Sequence, residues 1–118
     1  MPIKNRTQEI ANFALEKARG QKQNPEYKRY VRRLPSLLLR NGLALTLAFL
    51  KSKGGTHSEI YNHIQEWFKE RRLLKENDLL KGLLETDALT YRSWSREALE
   101  LATWLQRMAE AEIEEGEG

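Results

Sequence analysis

Apolar residues recur along the chain at three- and four-residue spacing, and no alternating stretch of useful length suggests a strand. Ile10, Phe13, Ala14 and Ala18 share one helical face, which predicts a first helix after Thr7 that stops at Gly20. Asn24-Pro25 is a good start for a second, with Asn as cap and Pro at the first helical position. Tyr27, Tyr30, Val31 and Leu34 then fall at i, i+3, i+4 and i+7, and Pro35 is expected to end or kink this helix. From Ser36 to Lys53 the chain is apolar almost all round, as expected of a helix at the centre of a bundle. Asn41-Gly42 lies inside it and predicts either a close helix–helix approach or a notch at a subunit contact.

Gly54-Gly55 closes that segment, and Thr56-His-Ser-Glu59 has the form of a capping box for a helix whose buried stripe is Ile60, Ile64, Trp67 and Phe68. A short helix weakened by Gly82 follows Asn77/Asp78. The last helix is expected to start at Ser95, with Trp94 and Leu99 as a hydrophobic staple and Ala98, Leu101, Ala102, Leu105, Met108, Ala109 and Ile113 on one face. Residues 111–118 read as a frayed acidic tail. The expectation is one all-α domain over residues 1–118, a compact bundle of five to six helices around a central apolar helix.

At 118 residues, 40% hydrophobic and 31% charged, the chain suits a single domain with a core and a heavily charged surface. The absence of cysteine excludes disulfides and thiolate chemistry. The start has no apolar signal segment and the longest apolar run is too short to span a bilayer, so a soluble, cytoplasmic protein with no membrane partner is expected. The net charge of +3 conceals a division. Residues 1–53 hold 12 Lys/Arg against 3 Glu, a net +9, and residues 54–118 hold 8 against 14 Asp/Glu, a net −6. Such a chain offers its basic half to a polyanion, stacks head-to-tail on itself, or neutralises its halves within one fold.

Catalytic chemistry finds little support. His57 and His63, six residues apart, lie on different faces of a helix and do not form a ligand pair. "KSKGGTHS" lacks the order of a phosphate-binding loop, and Glu110 and Glu114 sit on a solvated helix end. Neither a metal, a cofactor nor a catalytic residue is expected. The basic residues carry the best candidate site. Lys28, Arg29, Arg32 and Arg33 occupy an arc of roughly 140° opposite the apolar stripe. Arg40 and Lys51 add a basic edge to the central helix, with Lys53 at its end, and Arg19 and Lys22 lie in or beside the first connector. No base-reading element accompanies them, so binding through these seven residues (Lys28, Arg29, Arg32, Arg33, Arg40, Lys51, Lys53) is expected to be directed at the nucleic-acid backbone and sensitive to salt.

Leu34-Pro35 before the apolar segment, Asn41-Gly42-Leu43, Ala48-Phe49-Leu50-Lys51, Tyr91-Arg92, Glu97-Ala98-Leu99 and Trp104-Leu105 occur in an order and spacing that cover most of residues 27–110. In these features the chain resembles the small helical subunit of Cmr-type (type III-B) CRISPR RNA-guided effector complexes. The resemblance implies a non-enzymatic subunit that stacks in several copies into a minor filament, beside crRNA and target RNA and other subunits of the complex. Two other readings compete: a helix-turn-helix DNA-binding protein, disfavoured by the apolar character of the following helix, and an adaptor whose basic face meets an acidic protein.

Overall fold

Six helices and no strands make up the computed structural model, which describes residues 4–115. They are α1 (Arg6–Gly20), α2 (Pro25–Asn41), α3 (Leu43–Lys53), α4 (Gly55–Glu70), α5 (Leu79–Leu84) and α6 (Ala88–Glu112). The long α6 lies against both α1 and α2, while α3 packs on α4 and α5. The apolar faces read from the sequence for α1 and α4 are buried, as is that of α6 except for the half-buried Met108, whereas Tyr30 of α2 is only half-buried. Ile10, Phe13, Ala14 and Ala18 of α1 meet Ala98, Leu101, Ala102, Leu105 and Ala109 of α6 in a single core with Ile60, Ile64, Trp67 and Phe68 of α4. Asn5 rather than Thr7 caps α1, its side chain accepting from the Gln8 N–H at 2.8 Å while Gln8 returns a bond to the Asn5 N–H.

The boundaries in the middle of the chain differ from expectation. Pro35 does not end α2, which runs on to Asn41. Tyr27, Val31, Leu34 and Leu38 form one buried stripe that crosses the proline. Burying Leu38 along with Leu34 offsets the lost backbone hydrogen bond. The expected helix from Ser36 to Lys53 is therefore two helices, divided at Gly42. This residue has φ +83° and ψ 169°, a conformation that essentially only glycine adopts. Its N–H donates to the Leu38 carbonyl at 2.9 Å and its carbonyl accepts from the Thr46 N–H at 3.2 Å, so one residue closes α2 and opens α3. The buried Thr46 hydroxyl donates to the Leu37 carbonyl, and the Tyr91 hydroxyl of α6 accepts from the Ala44 N–H at 3.1 Å. Tyr91 thus supplies the cap that a glycine lacks.

Two helix starts are corrected. Gly54, at φ +72°, precedes α4 directly, and Thr56 and Glu59 form no capping box. Thr56 instead contacts Asn24 and Glu26, and Glu59 accepts from Gln21, so these groups tie α4 to the α1–α2 connection. Helix α6 begins about two turns before Ser95, capped by Asp87, which accepts from the Thr90 N–H at 2.7 Å. Trp94 and Leu99 both lie inside it and form no staple, and the Ser95 hydroxyl donates back to the Tyr91 carbonyl. Of the residues expected to fray, Ala111 and Glu112 are helical and Ile113 is buried, while 116–118 lie outside the described residues. No helix among the described residues is long and apolar enough to cross a membrane.

Candidate nucleic-acid interface

Helix α2 carries Lys28, Arg29, Arg32 and Arg33, together with Arg40 at its end, and the fold separates these cations into two groups. Lys28 does not belong to an outer arc. It is only 7% exposed, its ammonium donates to the Ile113 carbonyl at 2.9 Å, and Glu110 and Glu115 lie at 3.9 and 3.7 Å. Arg32, one turn on, donates to Glu110 at 2.7 Å and also to Glu115. Hydrogen bonds from its guanidinium hold both carboxyls below the ordinary carboxylate range. Both cations therefore lock the C-terminal end of α6 against α2. The sequence places Lys28 four positions from Arg32, but nothing in it showed that the acidic tail returns to that edge.

Arg29, Arg33 and Arg40 remain exposed, at i, i+4 and i+11 along α2. They form a line roughly 16 Å long on the solvent side of the helix, and none makes an ion pair among the described residues. The expected stripe through Arg40, Leu47 and Lys51 does not exist, because the turn at Gly42 puts Arg40 and Lys51 on different helices and Leu47 is in the core. Lys51 donates to Asp78 at 2.9 Å. Burial opposes ionisation of Asp78, yet hydrogen bonds from Tyr61, Lys51 and the Lys81 N–H together bring its carboxyl below the ordinary value. That carboxylate caps α5, so Lys51 serves the fold. Lys53 is exposed, with its ammonium 5.7 Å from the Phe49 ring centre.

The division of charge between the halves is largely consumed inside the molecule. Arg6 pairs with Glu97 and Glu100, Lys17 with Glu66 and Arg19 with Glu112, beside the Lys28, Arg32 and Lys51 pairs already described. Six of the twelve cations in residues 1–53 thus meet acids from residues 54–115. Of the basic residues in 1–53, those that stay unpaired among the described residues are Arg29, Arg33 and Arg40 on α2, Lys53, and Lys4 and Lys22 near the ends of α1.

The histidines serve packing. His57 stacks on Tyr30 with ring centres 3.9 Å apart, and His63 Nδ1 lies 2.7 Å from the Tyr27 hydroxyl. No group of three or more Asp, Glu or His among the described residues could hold a metal ion. Burial, with Lys17 nearby, pushes the His63 imidazole below its ordinary value, and burial pushes the Tyr27 phenol up. A histidine kept neutral by the fold stabilises it fully above the unfolded pKa of about 6.5, and that contribution is lost as pH falls below it. The urea midpoint should therefore decline as pH falls below about 6.5, with a shallower decline in His63→Gln. His57, also pushed down by burial and then by Lys53, accounts for part of the remainder. An identical slope in wild type and variant would remove His63 from this role.

Comparison with known proteins gives a consistent result. Residues 6–112 match the family described as CRISPR-associated protein (Cas_Cmr5). The chain is 33% identical over 116 residues to the CRISPR system Cmr subunit Cmr5 of Thermotoga maritima, covering 93% of this chain and 86% of that protein. It is 32% identical over 117 residues to the CRISPR system Cmr subunit Cmr5 of Thermus thermophilus, covering 96% of this chain and 100% of that one. The X-ray crystal structure of a CRISPR-associated Cmr5 family protein from Thermus thermophilus superposes with a TM-score of 0.79 at 31% identity, covering 94% of this chain and 100% of that chain.

Proposed function

This chain belongs to the CRISPR-associated Cmr5 family, and from that premise we propose that it is a non-catalytic structural subunit of a CRISPR RNA-guided complex that touches the RNA backbone along α2. The Thermotoga and Thermus relatives are subunits of the Cmr system, which supports other Cmr subunits as its partners. The observation that carries the RNA contact is the line of Arg29, Arg33 and Arg40. These are exposed guanidiniums left without internal acids in a chain that pairs many of its other cations. Arginine forks match phosphate geometry, and in an RNA-guided system base pairing reads sequence while protein reads backbone and shape.

Stacking of copies into a minor filament finds support at the opposite kind of surface. Where α2 turns into α3, Leu38, Leu39, Gly42, Leu43 and Leu99 line a cleft of about 180 Å³ with Arg92 and Arg96 beside it. Leu39 is 74% exposed there, and Leu89 near the start of α6 is exposed as well. Exposed apolar surface of this kind suits a neighbouring subunit.

The backbone reading is tested with Arg33→Ala/Arg40→Ala, a pair of exposed positions whose loss leaves the core intact. Binding of a labelled single-stranded RNA should weaken about tenfold near ~0.1 M salt, and the slope of log K against log salt should fall by roughly 1.4, at about 0.7 per lost phosphate contact. Unchanged affinity and slope would exclude these arginines. Preference for one duplex DNA sequence over others would favour the DNA-binding alternative.

A further inference from the structure

Where α2, α3 and α4 meet, three aromatic rings gather on the surface between two unpaired cations. Tyr30 and His57 are stacked at 3.9 Å with an interplanar angle of 21°, and Phe49 meets His57 edge to face at 5.4 Å and 84°. Tyr30 and His57 are half-buried, whereas Phe49 is 39% exposed. The Arg29 guanidinium lies 5.9 Å from the Tyr30 ring centre and the Lys53 ammonium 5.7 Å from that of Phe49.

Phe49 thus presents part of its ring to solvent beside a cation and a second aromatic pair. We propose that this corner is a stacking platform for an unpaired RNA base, with Phe49 as its contact ring, His57 and Tyr30 as its support, and Arg29 and Lys53 on the flanking phosphates. The inference rests on the RNA-backbone role of α2 and deepens it, since the arginine line continues into the corner through Arg29. Bases of every kind stack on aromatic rings, so the platform holds single-stranded RNA without reading its sequence. Charge selects this occupant over an apolar protein segment: both flanking side chains are cationic and neither has an acidic partner among the described residues. Glu26, at the rim, is engaged by the Tyr30 and Thr56 hydroxyls at 3.3 and 3.4 Å. Burial and the neighbouring Lys53 push the His57 imidazole down.

The test compares a short labelled oligouridylate with an abasic oligomer of the same length and charge, both bound to the full chain. Wild type should bind the oligouridylate about tenfold more tightly, the loss typical of one stacking contact. Phe49→Ala should erase that preference and leave abasic binding unchanged. Phe49→Leu, which keeps the apolar packing, should do the same, and Phe49→Trp should retain the preference. Equal binding of both oligomers by wild type, or a preference that survives Phe49→Leu, would overturn the platform. If Arg33→Ala/Arg40→Ala still weakens both oligomers in that case, the backbone reading stands without it. Failure of wild type to bind either oligomer overturns both.

Discussion

Replacing Trp67 with alanine should lower the unfolding free energy by about 3–5 kcal/mol, the range for deleting a buried tryptophan. Trp67 is 2% exposed and packs on Phe13 of α1 with ring centres 5.1 Å apart. Its indole N–H donates to Glu97 of α6 at 2.7 Å, and Arg71 lies over the ring. Glu97 is in turn paired with Arg6 of α1, so one side chain of α4 joins two other helices. Alanine leaves a cavity between three helices and removes the donor that Glu97 accepts from. Trp67→Phe goes far to separate the two effects, because it keeps an aromatic ring and most of the volume but cannot donate to Glu97. Its cost should be nearer ~1–2 kcal/mol. Urea unfolding followed by far-ultraviolet circular dichroism gives both values. A loss below ~1 kcal/mol in the alanine variant would contradict the position of Trp67 in the core.

Gly42→Ala should cost about 1–3 kcal/mol, although an alanine is a better helix former and the space is open. A methyl group there meets only the Tyr91 hydroxyl, at an ordinary 3.9 Å. The penalty comes from the backbone, since φ +83° with ψ 169° is a region closed to side chains. Straightening α2 into α3 would relieve it only by rotating Leu43, Thr46, Leu47 and Leu50 out of the core and breaking the Ala44–Tyr91 hydrogen bond, a larger loss, so the strain stays in the turn. Gly20→Ala is the internal control: no contact constrains the added methyl and its φ is ordinary, so stability should stay within ~0.5 kcal/mol. Equal effects at the two glycines would mean that the Gly42 turn is not required.

The hydrophobic faces of α1, α4 and α6 were legible because burial follows a 3.6-residue period that can be counted along the chain. Helix ends were less so. Proline and glycine are local signals of opposite reliability in this chain, since Pro35 lies inside a helix and Gly42 divides one. The outcome at each depended on whether the apolar stripe kept its phase across the residue. Tyr27, Val31, Leu34 and Leu38 keep it through Pro35. After Gly42 the exposed positions shift to Leu45 and Phe49, and what looked like a helix apolar all round has a wet side.

The candidate site divides in the same way. Periodicity and composition determined by themselves that the protein is an all-α domain, that α2 is amphipathic, and that Arg29 and Arg33 point away from its core. Only the tertiary structure decided which cations are available. Lys28 and Arg32 lie on the edge to which the end of α6 returns, Lys51 lies beside the cap of α5, and Arg40 is left free beyond Pro35. Salt bridges between residues about 80 positions apart leave no periodic trace in a sequence, because they depend on how whole helices are placed and not on the local chain. The gathering of Tyr30, Phe49 and His57 from three helices is of the same kind, and the local pattern of each helix was silent about it.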